Sequence, residues 1–237
     1  MIMPPATPPL SAEAAAVLQR TLDELRAEFD VVATEIPLGG RVVTIHHPRN
    51  ADVLIDEKAF AVDERLPYWA DLWPSARILA ERVAAMAADD RRFLELGCGA
   101  GLVSVAAAIA GFDVTATDYY EDALRFTALN VLANTGTLID TRAADWRRFP
   151  HDLGRFDLVA ASDVLYEREY AELIASVIDR TLTARGTAVV ADPGRLAAPQ
   201  FVEEARERGM IAGIADRVPY EEQDVRQTID VYEIRRR

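Results

Sequence analysis

The run Phe93-Leu94-Glu95-Leu96-Gly97-Cys98-Gly99-Ala100-Gly101 constrains this chain more than any other. An apolar strand passes through three glycines at alternate positions and straight into a helix-like stretch, Leu102 to Ala110. Strand, glycine turn and helix in that order open a parallel α/β unit, in which the missing side chains let backbone come close to a ligand at the strand end. A dinucleotide fingerprint would place a further glycine three residues after Gly99, and that position is Leu102. The spacing is therefore G-x-G-x-G, which favours a nucleoside without a pyrophosphate. Glycines that merely let a helix pack closely on a strand are the competing reading.

The pattern on either side of this loop is strand and helix in alternation. Strands are expected at Phe93 to Leu96, Asp113 to Thr117, Leu138 to Arg142, Phe156 to Ala161 and Thr187 to Ala191, with helices near 101–110, 120–133, 168–182 and 197–208. Pro74 suits a first helical turn, and Ile78, Leu79, Val83 and Met86 then line one helix face. Met210 to Arg217 and Val225 to Ile234 are extended stretches whose short linker has no room for a helix, so they form an antiparallel pair at the sheet edge. The fold class is thus α/β: a Rossmann-like, seven-stranded, mostly parallel sheet covered by helices on both faces.

Residues 66–237 make up this domain, and 1–65 precede it as an extension. Pro4, Pro5, Pro8 and Pro9 predict a disordered arm. Ser11 then caps a helix over about 11–29 in which Leu18, Leu22, Leu25 and Phe29 recur at helical spacing. Val31 to Ile36 and Arg41 to His46 form a hairpin turned by Gly39 and Gly40, and Val53 to Ile55 is expected to be extended.

Charge and composition narrow the functional classes. A formal net charge of −13 argues against nucleic acid as partner, since such binding draws on Lys and Arg that neutralise phosphates. The same field would attract a basic protein surface, or simply maintain solubility. No run approaches the roughly 18 to 20 apolar residues of a membrane span, and the first ten residues do not form a signal peptide, so a cytoplasmic protein without membrane association is expected. The single cysteine, Cys98, fits a reducing compartment. His46 and His47 adjoin Pro48 in an expected loop and His151 stands alone, so no metal site is expected.

The second strand ends at Thr117-Asp118, where open α/β sheets present groups to a ligand, and Asp118 there can accept hydrogen bonds from both hydroxyls of a ribose. After the next strand come Asp145 and Trp146. An acid can accept from an adenine amino group while an indole covers the ring, although Trp146 could equally be a core residue. Together these features select S-adenosylmethionine (SAM).

Four motifs in order resemble the seven-stranded SAM-dependent methyltransferases, and within them the group of non-histone protein lysine methyltransferases, family 16. They are Pro67-Tyr68-Trp69-Ala70-Asp71-Leu72-Trp73-Pro74-Ser75, the glycine loop, Ala144-Asp145-Trp146, and the D-x-x-Y motif in Ser162-Asp163-Val164-Leu165-Tyr166. Ala191-Asp192-Pro193-Gly194-Arg195 is further similar to the lysine methyltransferases of the electron transfer flavoprotein β subunit and their bacterial relatives, or is only a turn made by Pro193 and Gly194. The resemblance covers roughly Leu66 to Ile234. It implies that Trp73 walls the cofactor pocket, that Glu95, Gly97, Gly99 and Gly101 contact the methionine moiety, that Asp118 holds the ribose, and that Asp145 and Trp146 hold adenine. Asp163 and Tyr166 would face the methyl acceptor as catalytic residues.

The acceptor implied is a lysine of a protein substrate such as the flavoprotein β subunit, methylated by a monomeric enzyme. A small-molecule N-methyltransferase and a SAM-binding regulatory protein without turnover are the rival readings. No G-x-S-x-G elbow or H-E-x-x-H pair points to other chemistry.

Overall fold

A computed structural model describes residues 10–54, 67–222 and 225–237. Seven strands form the main sheet: β3 (Arg92–Leu96), β4 (Asp113–Asp118), β5 (Asp140–Ala143), β6 (Phe156–Ser162), β7 (Leu182–Asp192), β8 (Met210–Glu222) and β9 (Val225–Arg236), with β1 (Val31–Leu38) and β2 (Arg41–Pro48) lying in the segment before them. Their order across the sheet is β5-β4-β3-β6-β7-β9-β8. The first five are parallel; β9 runs antiparallel to β7 and to β8. This is the Rossmann-like, helix-covered sheet with an antiparallel carboxyl-terminal pair that the sequence implies.

Side-chain alternation explains the two cores. Leu94, Leu96, Val159, Ala161, Ala188 and Val190 point to one face, beneath α5 (Arg168–Thr181) and α6 (Ala198–Glu207). Phe93, Leu158, Ala160, Val189 and Ala191 point to the other, with α2 (Pro74–Ala84), α3 (Leu102–Ala110) and Ile36, Leu38, Val43 and Ile45 of the amino-terminal segment. Strands buried on both sides read as continuous apolar runs, as β3, β6 and β7 do. Because the chain leaves β3 towards β4 and β5 and later returns to β6 on the opposite side, the strand order reverses at β3. Ligands of open α/β sheets bind outside the carboxyl ends of strands at such a reversal.

Upstream, Ser11 caps α1 (Ala12–Glu28), its hydroxyl accepting from the Ala14 N–H. Leu25 of α1 is buried against Phe126 and Leu129 of α4 (Glu121–Thr135), and Arg125 pairs with Glu28 at 2.7 Å. The hairpin of β1 (Val31–Leu38) and β2 (Arg41–Pro48) lies against the same helix. Asn130 and Asn134, one helical turn apart, bond the backbone of β2: each side-chain oxygen accepts an N–H, from His46 at 2.8 Å and Thr44 at 2.9 Å, and each amide donates back to the same residue's carbonyl at 2.8 Å.

Several sequence expectations need correction. Val53 and Leu54 lie in a single 3-10 turn, Asp52–Leu54, that the Asn50 side chain starts by accepting the Asp52 N–H; the polar turn chemistry outweighs the β-branched residue. Strand β5 begins two residues later than expected, β7 starts at Leu182 with a register shift between Phe156 and Leu158, and β8 continues to Glu222. His46 and His47 belong to β2 rather than to a loop, and burial pushes both imidazoles below their ordinary range. The proline arm through Pro9, Ile55 and the boundary at 65/66 lie outside the described residues. Among the described residues no helix is long and apolar enough to cross a membrane.

Candidate functional site

The carboxyl ends of β3, β4 and β6 open into one cleft of about 890 Å³, counted out to open solvent. Its floor is the loop after β3, where Gly97, Gly99 and Gly101 take φ of +72°, +54° and +84°. The close-packing reading of the glycines holds. A β-carbon on Gly101 would stand 2.7 Å from Thr127 Oγ1 and 2.8 Å from Thr127 Cα, and one on Gly99 would stand 3.0 Å from the Trp69 carbonyl oxygen. The side of the backbone facing protein is thus packed, while the opposite side is left open as cleft.

Asp118 closes β4 and is only 6% exposed. Its Oδ2 accepts the Gly99 N–H at 2.9 Å and its Oδ1 the Tyr120 N–H at 3.0 Å, so the carboxylate ties the glycine loop to the next strand. Burial pushes its pKa up, and the backbone donors oppose that shift. Asp145 follows β5 as the cap of a short 3-10 turn and accepts from the Arg147 N–H at 3.0 Å. Beside it the Trp146 ring lies against Gly97, where a β-carbon would be 3.2 Å from the indole. Trp146 also packs edge-on to Tyr170, with centroids 5.2 Å apart.

The other side of the cleft is built from three segments. Asp163 follows β6 with φ +57°, a left-handed conformation uncommon for a residue with a side chain. Its N–H donates to the Ala191 carbonyl at 2.9 Å, which holds it there. Tyr166 stands between Tyr68 and Tyr170, with centroids at 5.5 and 4.9 Å. Trp73, the cap of α2, donates its indole N–H to the Tyr68 carbonyl at 2.8 Å. The result is an aromatic arc from Trp73 through Tyr68, Tyr166 and Tyr170 to Trp146, joining the two sides of the cleft.

Trp73, Gly97, Gly99, Gly101, Asp118, Asp145, Trp146, Asp163 and Tyr166 therefore all line one space. Glu95 does not. It lies on the same face of β3 as Phe93, is 1% exposed, and accepts a bond from Ser104 of α3. Burial pushes its carboxyl up to about 8, the nearby Asp118 adds to the rise, and the Ser104 bond opposes it.

Sequence reasoning had left the Asp163 and Asp192 motifs separate, yet the fold joins them: Arg195 forms an ion pair with Asp163. It also missed Tyr68, Tyr170 and Asn130 as residues that shape the site. Asn130 donates to the Ala100 carbonyl at 2.8 Å, so it steadies the glycine loop as well as β2. The Asn pair at i and i+4 on an otherwise apolar helix face was a usable signal, because a buried amide must find partners.

Comparisons with known proteins show the family and the fold. A family model described as lysine methyltransferase matches residues 68–206. The chain is 32% identical over 133 residues to the electron transfer flavoprotein beta subunit lysine methyltransferase of Xenopus laevis, covering 54% of this chain and 53% of that protein. It is 33% identical over 125 residues to the protein-lysine methyltransferase METTL21E of Bos taurus, covering 47% and 43%. The chain thus spans about half the length of the relatives it matches. Among solved structures it is similar to precorrin-6y C5,15-methyltransferase from Geobacter metallireducens, with a TM-score of 0.55 at 16% identity over 68% of this chain and 87% of that one.

Proposed function

Because this chain belongs to the lysine methyltransferase family, we propose that it is a SAM-dependent protein-lysine N-methyltransferase whose cofactor and acceptor meet in the cleft just described. The observation that carries the reading is the division of that cleft: Asp118, Asp145 and Trp146 on one side, and Asp163 and Tyr166 on the other, with the glycine loop between them.

The residues fit the cofactor. A carboxylate has about four lone-pair positions, and the Gly99, Tyr119 and Tyr120 N–H groups take most of those on Asp118, which leaves room for a ribose hydroxyl. Asp145 can accept from an adenine amino group while Trp146 covers the ring. A side chain at Gly97 would fill the space against Trp146 and Val164. Trp73 and the loop from Gly97 to Gly101 wall the methionine end, and Glu95 supports that loop from beneath rather than by touching ligand. Bound SAM supplies an electrophilic methyl group, and the acceptor nitrogen forms its bond to that carbon as the carbon–sulfur bond breaks, its electron pair leaving on sulfur.

For such a displacement the protein needs to orient a lone pair and exclude water. Asp163 can accept an N–H of the acceptor and so aim its lone pair, and Tyr166 orders the entrance beside it. The ammonium of a lysine, with an ordinary pKa near 10.4, must first lose a proton, at a cost of about 4 to 5 kcal/mol at neutral pH.

A lysine on a folded protein is the acceptor, because its long apolar stem can thread the aromatic arc while its parent surface docks outside. The net charge of −13 favours a basic surface and disfavours nucleic acid. The flavoprotein β subunit is the first candidate, given what the similar Xenopus laevis protein modifies by name. In this reading residues 66–237 are the catalytic unit, 1–65 contribute to substrate choice, and the enzyme works as a monomer in the cytoplasm. Labelled SAM incubated with the enzyme and a lysate lacking it should label protein. Label confined to small molecules would overturn the lysine assignment, and label in neither fraction would overturn turnover itself.

A further inference from the structure

We propose that Arg195 is a positioning residue that keeps the acceptor amine uncharged by balancing the Asp163 carboxylate. The inference rests on the amine-acceptor reading above and deepens it. A carboxylate beside an amine favours the ammonium form, typically raising its pKa by one to three units, and a lysine held as ammonium has no lone pair to offer. Asp163, 7% exposed at the edge of the acceptor space, would have that effect if left alone. It is not left alone. Its Oδ1 pairs with Arg195 Nε, and its Oδ2 accepts from the Ser75 hydroxyl at 3.4 Å.

The fold spends several contacts on this pairing. Asp192, fully buried at the end of β7, accepts at one oxygen from the N–H groups of Gly194, at 2.8 Å, and Arg195, at 2.6 Å. The turn passes through Gly194 at φ +87° and brings Arg195 to Asp163. There the guanidinium carbon lies 5.9 Å from the centre of the Trp73 ring. The motif after β7 is therefore more than a turn: it carries a cation to the carboxylate that follows β6.

Arginine suits this role because it stays charged at every working pH and its planar head matches a carboxylate. With the charge balanced, Asp163 retains lone pairs with which to accept an N–H from a neutral amine, so orientation is kept and the penalty on deprotonation is removed. Other titratable or charged groups face this space: Tyr68 and Asp71 before α2, Tyr166 after β6 and Tyr170 of α5, with Cys98, Asp118, Tyr119, Tyr120, Asp145 and Arg147 towards the cofactor side, and Asp192 behind the Arg195 loop. Among the described residues Arg195 is the cation that pairs with Asp163.

The test is the pH dependence of initial rates of labelled methyl transfer from SAM to recombinant electron transfer flavoprotein β subunit, for wild type, Arg195→Gln and Arg195→Lys. The ascending limb of kcat at saturating substrate, which reports the amine in the enzyme–substrate complex, should move upward by about one unit or more in Arg195→Gln, a loss of about tenfold at neutral pH that alkaline pH restores. Arg195→Lys, which keeps the charge, should keep the limb near wild type. Adding Asp163→Asn to Arg195→Gln should bring the limb back, since no carboxylate is then left to balance. Calorimetric affinity for S-adenosylhomocysteine should stay within about twofold throughout, as Arg195 lies on the acceptor side. A loss of rate in Arg195→Gln that is equal at all pH values, or a limb that Asp163→Asn fails to restore, would overturn the inference alone. Wild type that methylates no lysine of the probe at any pH would overturn the lysine reading for this substrate, and the inference with it.

Discussion

Gly101→Ala tests whether the glycine loop is held by packing from below as well as by freedom of the backbone. Gly101 caps α3 at φ +84°, and a left-handed backbone costs a residue with a β-carbon about 1 to 2 kcal/mol. The new carbon would also stand 2.7, 2.8 and 2.9 Å from Oγ1, Cα and Cβ of the buried Thr127. Two of those atoms cannot rotate away, so α3 and α4 must separate slightly, which adds about 1 to 3 kcal/mol. The total is about 2 to 5 kcal/mol. Gly209 is the control: its φ is +79°, but nothing lies within 4 Å of an added carbon, so Gly209→Ala should cost only the backbone part. Urea unfolding of both variants reads the difference as a lower midpoint for Gly101→Ala at unchanged slope. Calorimetry should also show weaker S-adenosylhomocysteine binding for Gly101→Ala alone, because the shift moves the Gly99 N–H away from Asp118. Equal destabilisation of the two variants, to within about 0.5 kcal/mol, would refute the packing argument.

Asp118→Ala should weaken S-adenosylhomocysteine binding by at least tenfold, since a hydrogen bond to a charged group contributes about 1.5 to 3 kcal/mol and the variant also frees the loop; unchanged calorimetric affinity would remove Asp118 from the cofactor site. Asp163→Ala and Tyr166→Phe should lower turnover by more than they lower cofactor affinity, and proportional losses in both would assign them to the cofactor side or to the fold. For Glu95, the native pKa of about 8 lies above the unfolded value of 4.5, so the native chain keeps a proton that the unfolded chain has lost. Stability contributed by this group is therefore present below about 4.5 and falls, by up to a few kcal/mol, as pH rises to about 8. Glu95→Gln should flatten that decline in urea midpoints, and a decline as steep as in wild type would show that Glu95 is not its source.

Much of the architecture was legible because period and punctuation agree. FLEL ending in alternate glycines, and an acid at the end of the next strand, fix where the sheet reverses and which residues stand above it. What failed had local causes. Val53 and Leu54 have strand-like side chains, but the Asn50 side chain draws the backbone into a turn. Glu95 sits inside the most diagnostic motif, yet alternation along β3 turns it down against α3, and motif identity alone does not say which face a residue takes. The pairing of Arg195 with Asp163 joins segments 32 residues apart, through two left-handed residues, Asp163 and Gly194, that no periodicity encodes. The arrangement of Asn130 under Ala100 likewise depends on a helix face meeting both a loop and a hairpin.

Mapping of methylated residues by tandem mass spectrometry, after purified enzyme, SAM and recombinant electron transfer flavoprotein β subunit have been incubated together, tests the central claim most directly. The account predicts methyl groups on one or a few surface lysines, absent without SAM and strongly reduced with Asp163→Ala, with transfer falling as salt screens the approach of a basic surface to this acidic protein. Unmodified lysines here and in a lysate, alongside rapid methylation of a small amine by the same preparation, would contradict it.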